Sequence, residues 1–301
     1  MSLSRDFQEC ITAELSSLCK TFFFVVKFKI NLIVDITPVS KRLLWRVIII
    51  LKGLMLTIVM FLIFYYFSKI FIKDTFIVNS SSMKPTIMPG DKIVVNKLLF
   101  GARIYTDFKF KYGSDLRSFR IYGIRDIERN DIIVFNYPFD KECVKIQFRI
   151  NYVYTKRVIG LPGDIVSISG GYYRVAGTNE ELGNIRLQKL LSASQSKYLQ
   201  RKQFLFPNHP DFQWTIINFG PYYIPRKGDT IELTKDNTIL YKTLIEYETG
   251  KETIILKSYT FKYNYLFVAG DNIFSSKDSR YFGVIPEDYI IGVVTKVIQG
   301  K

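Results

Sequence analysis

Hydrophobic and polar positions along this chain fall into distinct textures. Residues 1–20 mix the two without a period, and Thr21–Ile36 is apolar but broken by Lys27, Lys29 and Asn31. That second stretch is too short and too charged to cross a bilayer, and it predicts an interfacial or amphipathic segment. Gly53 to Ser68 carries no charge at all. Apolar character extends from Val47 to Ile72 across Lys52 and Lys69, whose stems can lie along lipid while the ammonium reaches water. About 20 residues suffice to span the hydrocarbon, so the pattern predicts one transmembrane helix near Val47–Phe71, with Tyr65 and Tyr66 at an interface. It starts too far from Met1 for an ordinary cleaved signal, and it is apolar all round, as a surface helix is not.

After Ile72 the pattern shortens to β-like runs: Lys92–Val95, Asp131–Phe135, Asp164–Ile168, Tyr172–Val175, Thr230–Leu233, Thr253–Leu256, Leu266–Ala269 and Ile290–Ile298. Turn signals separate them, among them Pro89-Gly-Asp, Leu161-Pro-Gly-Asp, Gly170-Gly and Lys227-Gly-Asp. Only Asn179–Arg201 repeats its leucines and isoleucine at helical intervals, and the aromatic, basic stretch Asp107–Ile127 reads as a loop or hairpin. The expected fold is mainly β: an antiparallel β-sheet domain preceded by one transmembrane helix.

Charge adds an orientation. The net charge is +15, of which residues 1–74 contribute +5. Such a basic body needs an anionic neighbour, and with no zinc-finger spacing or aromatic RNA-binding string the membrane lipid fits better than nucleic acid. Lys27, Lys29, Lys41, Arg42, Arg46 and Lys52 all precede or open the span. By the positive-inside rule, 1–46 is a cytoplasmic segment, 47–72 spans, and 73–301 is exported. Cys10 and Cys19 precede the span and Cys143 follows it, so the exported part has no partner for an internal disulfide. One histidine, His209, in the loop-like Pro207-Asn-His-Pro-Asp211, leaves no basis for a His/Cys zinc site and little for a Ser-His-Asp triad. No metal and no cofactor is implied.

Serine chemistry, if present, therefore turns to lysine. A serine hydroxyl needs a base beside it, and a lysine serves only when neutral, which burial among apolar groups promotes. Asn79–Asp91 reads Asn-Ser-Ser-Ser-Met-Lys-Pro-Thr-Ile-Met-Pro-Gly-Asp. Alone, three serines before a proline are an ordinary turn. In Tyr154-Thr-Lys-Arg-Val-Ile-Gly-Leu-Pro-Gly-Asp164, Lys156 lies beside Val158, Ile159 and Leu161, a setting that can desolvate it. The third string is Gly270-Asp-Asn-Ile-Phe-Ser-Ser-Lys-Asp-Ser-Arg-Tyr-Phe-Gly283.

Together, in this order, the three strings resemble the signature boxes of bacterial type I signal peptidase, a membrane-anchored Ser/Lys protease. The likeness covers about Ile77–Ile298 and includes Asn130-Asp-Ile-Ile-Val-Phe135 as a structural strand. It implies Ser82 as nucleophile and Lys156 as general base, with the Ser80 hydroxyl and the Ser82 N–H as oxyanion donors. Ser276 would orient the lysine, and Asp278 and Arg280 would form a bracing ion pair. Val78 and Met83 flank the nucleophile and would restrict the pocket to small side chains. Ile273 stands where the family usually carries arginine, which implies the loss of a peripheral contact. Residues 176–260 look like the family's variable inserted second subdomain.

The implied activity is removal of signal peptides from exported preproteins with small residues at the cleavage site, at the bacterial inner membrane. Substrate would bind by strand addition beside the strands holding Ser82 and Lys156, with no obligate protein partner. The nucleophile lies ten residues beyond Ile72, so it stays within roughly 33–36 Å of the end of the span even in a fully extended chain. In an extended segment Ser81 and Ser82 point to opposite sides, so only one can face Lys156. Two other readings stay open: a Ser/Lys protease dedicated to another substrate, and a non-catalytic membrane-anchored β module that binds lipid or an envelope partner.

Overall fold

A computed structural model describes residues 38–107, 116–140, 145–194, 205–251 and 257–300. The predicted interfacial segment 21–36, the strand at 253–256 and all three cysteines lie outside them. Contacts divide the chain into two units, Met1–Ser68 and Lys69–Lys301. The first holds helix α1, Pro38–Phe67, which is followed by a π-helical turn at Ser68–Ile72. Arg42–Ile72 is long and apolar enough to cross a membrane by length and composition. Most of its large apolar side chains, from Leu43 to Ile70, are exposed, as a helix solvated by lipid requires.

The second unit is built on a seven-stranded antiparallel sheet. Its strands are β1 (Lys73–Ile77), β2 (Lys92–Asn96), β5 (Ile132–Asn136), β6 (Val153–Gly160), β12 (Tyr265–Ala269), β13 (Ile285–Pro286) and β14 (Ile290–Ile298), in the order β1-β2-β14-β5-β6-β12-β13. Strand β3 (Arg103–Tyr105) pairs antiparallel with β4 (Ser118–Arg120), of which only β4 lies within Asp107–Ile127. Strands β7 (Ile165–Ser169), β8 (Tyr172–Val175) and β9 (Phe219–Tyr223) form a three-stranded sheet, and β10 (Thr230–Glu232) pairs with β11 (Ser258–Thr260).

Two apolar cores follow from this arrangement. The larger gathers Ile133 and Phe135 of β5, Val158 and Ile159 of β6, and all of β12, with Tyr222, Leu244 and Ile245 beyond them. The smaller collects Val78, Met83 and Ile87 of the β1–β2 connection with Ile93, Val95 and Val134. Each such side chain contributes about 1.5–3 kcal/mol when fully buried. The connection that carries the serine triplet is thus fastened by a core of its own.

Helix prediction was incomplete. Within Asn179–Arg201 the helix is α2, Ile185–Ala193, capped by the Asn184 side chain on the Leu187 N–H. A longer helix, α3 (Lys235–Thr249), was not foreseen. It buries Leu240, Tyr241, Leu244, Ile245 and Glu248, with Thr234 as N-cap and Gly250 at the left-handed C-terminal position. Its many Thr, Ile and Tyr residues resemble strand composition, which masks the spacing. Glu248 anchors its end, accepting from the hydroxyls of Tyr259 (2.8 Å) and Tyr265 (2.7 Å) and from the Lys262 N–H (2.7 Å). A short helix, α4 (Ser279–Phe282), follows β12.

Candidate active site

Ser82 begins a run of turns, residues 82–86, in the connection between β1 and β2. The base of this connection is closed by Val78 N–H to Asp91 O (2.9 Å) and Gly90 N–H to Val78 O (2.8 Å). Within it the Lys84 N–H donates to Ser81 O (3.2 Å) and the Ile87 N–H to Met83 O (3.0 Å). Ser82 therefore sits on a turn and not on a strand, so the alternation expected of an extended segment does not apply. The Ser82 hydroxyl faces Lys156, while the Ser81 carbonyl is held by the Asn272 side chain (3.1 Å).

Lys156 lies in the middle of β6, between β5 and β12. The register pairs Ile133 with Lys156 and Phe135 with Tyr154, so two fully buried apolar side chains share the lysine's face. Its Nζ lies 2.5 Å from Ser82 Oγ, with Lys156 3% and Ser82 7% exposed. Burial pushes the Lys156 ammonium down from 10.5 to about 8. Asp278 and Asp271 oppose that shift and Arg280 assists it. The Tyr154 ring, 5.3 Å from Nζ, also favours the cation. Desolvation outweighs these opposing charges, and the amine is available as a base close to neutrality.

The loop after β12 buttresses the serine from behind. Gly270 approaches so closely that a Cβ there would stand 2.5 Å from Ser82 O and 2.2 Å from Ser276 Oγ, so only glycine fits. The Asn272 N–H donates to Ser82 O at 3.0 Å. Asp271 holds Arg157 in a bidentate pair (2.7 and 2.6 Å) and also accepts from the Thr86 hydroxyl. One carboxylate thus ties the turn after Ser82 to the strand that carries Lys156. Thr86, Arg157, Asp271 and Asn272 were not singled out from sequence, although all four stand inside the quoted boxes.

Asp278 and Arg280 are fully buried and form a bidentate pair, with Arg280 Nε and Nη2 each donating to Asp278 at 2.8 Å. Asp278 also accepts from the Gly270 N–H (3.0 Å), and Arg280 donates to Ile273 O (3.1 Å). Burial alone would raise the Asp278 carboxyl, but Arg280 and the surrounding donors hold it below its ordinary value. Ser276 is buried nearby, yet its Oγ completes no hydrogen bond to Lys156. Its hydroxyl instead helps hold the Asp278 carboxyl down, short of full hydrogen-bond geometry. Ile273 is not peripheral: its side chain is buried in the main core beside Ile159 and Tyr173, where apolar packing replaces the charge that arginine would bring.

A cleft of about 390 Å³ opens over the Ser82–Lys156 pair, lined in part by Val78, Ser80, Met83 and Tyr154. Ser80 stands beside Ser82, and its Oγ accepts from the Ser82 N–H at 3.2 Å. His209 does not line this cleft; its Nδ1 accepts from the Asp211 N–H at 3.3 Å.

A family model described as signal peptidase, peptidase S26, matches residues 51–298. A signal peptidase I of Buchnera aphidicola subsp. Baizongia pistaciae is 29% identical over 77% of this chain and 72% of its own length. A signal peptidase I of Pseudomonas aeruginosa is 32% identical over 56% of this chain and 55% of its own. A solved signal peptidase I from Enterococcus faecalis aligns with 21% identity and a TM-score of 0.30, covering 57% of this chain and 100% of that one.

Proposed function

The chain belongs to the signal peptidase family, peptidase S26, and from that premise we propose that it removes signal peptides from exported preproteins through a Ser82–Lys156 dyad. The observation that carries this reading is the 2.5 Å contact between Lys156 Nζ and Ser82 Oγ in a buried, apolar setting. Neutral Lys156 takes the Ser82 hydroxyl proton as Oγ bonds to the scissile carbonyl carbon. The tetrahedral adduct collapses, the C–N bond breaks, and Lys156 returns that proton to the departing amine. A water molecule then repeats the sequence on the acyl-enzyme, giving the free carboxylate of the signal peptide and regenerating Ser82.

Charge on the former carbonyl oxygen falls to the Ser82 N–H and the Ser80 hydroxyl. In the free protein the first donates to the second, so Ser80 must turn its O–H toward the same point when substrate arrives. Losing one such donor costs about 10²–10³-fold in kcat. Ser80→Ala is expected to lose that much with little change in KM, measured on a peptide substrate. An unchanged kcat would remove Ser80 from the mechanism.

Val78 and Met83, both buried beneath the cleft, leave room for small side chains at the scissile bond. α1 anchors the enzyme in the bacterial inner membrane, with residues 1–46 in the cytoplasm and the β domain exported, where its basic charge meets anionic lipid. The direct test supplies full-length protein in lipid with a preprotein and sequences the product's new amino terminus. A single cut after a small residue, with a second small residue two positions earlier, is expected. Lipid binding without any cut would instead favour a non-catalytic anchored module.

A further inference from the structure

The charges around the cleft are one-sided. Among its described lining residues the charged side chains are Lys156, whose amine is committed to Ser82, and Lys277. No carboxylate lines it. The nearest acidic groups in sequence are all occupied elsewhere: Asp74 is paired with Lys97, Asp271 with Arg157, and Asp278 with Arg280 within the protein interior. Lys277 itself is exposed, and its ammonium has neither a hydrogen bond nor an ion pair among the described residues.

Position gives this cation a direction. Phe76–Ser80 leads into the nucleophile, and together with Val78 and Met83 it forms the side suited to the small residue that becomes acylated. The segment bearing Lys277 reaches the cleft from the loop after β12, whose Asn272 holds the carbonyls of Ser81 and Ser82. A substrate strand that adds along Phe76–Ser80 and reacts at Ser82 would continue toward the remaining lining residues, Ser275 and Lys277.

Resting on the dyad reading above, we propose that Lys277 is a specificity-determining residue that favours an acidic side chain in the first position of the released chain and disfavours a basic one. The pairing is solvent-exposed, so its effect is modest and screened by salt. It acts on binding and positioning and not on proton transfer, since Lys277 is not among the charges that set the basicity of Lys156.

The test uses full-length protein in uncharged detergent micelles and two peptides that differ only in Asp or Lys immediately after the scissile bond. Wild type is expected to favour the Asp peptide by about fivefold in kcat/KM at low salt, with the ratio falling toward one at high salt. Lys277→Ala should bring the ratio near one at low salt, and Lys277→Glu should invert it, each with the pH midpoint of cleavage unchanged. A ratio that survives Lys277→Glu, or that changes only together with the pH midpoint, overturns the assignment while leaving the dyad intact. Failure of wild type to cut either peptide would instead overturn the dyad reading, and this proposal with it.

Discussion

Lys156→Arg is expected to lose about 10⁴-fold in peptide cleavage at neutral and alkaline pH alike, although it preserves the positive charge. Arginine stays protonated throughout that range and cannot accept the Ser82 proton. Lys156→Met should be equally inactive because it has no amine. In the wild type, kcat/KM should rise with pH around a midpoint of about 8, since burial lowers the ammonium from 10.5 to about 8 and only the neutral form is a base. Stability should move the opposite way for the Met variant. The folded-state pKa lies below the unfolded one, near 10.4. The native state therefore releases a proton that the unfolded state keeps, and stability rises with pH between the two values. Below about 8 the charge is buried at full penalty, so at neutral pH Lys156→Met should melt higher than wild type. An active Lys156→Arg, or a Met variant that melts lower, would show a lysine kept for its charge.

The second large effect concerns the buried ion pair. Arg280→Met should destabilise the β domain by about 3–5 kcal/mol, because it leaves Asp278 charged and unpaired in the interior. The double variant Asp278→Asn with Arg280→Met should recover much of that loss, as no net charge is then stranded. Urea unfolding of the single and double variants measures the difference. Equal destabilisation in both would mean that the pair acts through packing and hydrogen bonds to Gly270 and Ile273 rather than through charge. In the wild type the Asp278 carboxyl sits below its unfolded value. Its contribution is present above the unfolded pKa and is lost as pH falls through the folded one.

Local signals carried much of this architecture. The uncharged run from Gly53 to Ser68 marked the apolar helix, and strands such as Tyr172–Val175 and Ile290–Ile298 appear with the predicted bounds. Ser82 and Lys156 could be singled out because each lies in a distinctive string, and the fold brings them within 2.5 Å across 74 residues of sequence. Less legible were interactions whose partners lie far apart and whose residue types are ordinary. The Arg157–Asp271 pair spans 114 positions and the Thr86–Asp271 contact 185, and nothing in either string alone names its partner. α3 was missed because its β-branched and aromatic residues look like strand until their spacing is counted. For Ser276 the sequence suggested a bond to the lysine, but the protein buries the hydroxyl with no such bond completed.

The most direct measurement identifies the atom that attacks. Full-length protein in lipid is mixed with a cleavable peptide, quenched in acid during turnover, digested and mapped by mass spectrometry. The dyad account predicts the mass of the amino-terminal substrate fragment esterified to Ser82, and its absence from Ser82→Ala and Lys156→Met. An adduct on Ser80 or Ser81, or one formed at the normal rate without Lys156, would contradict it.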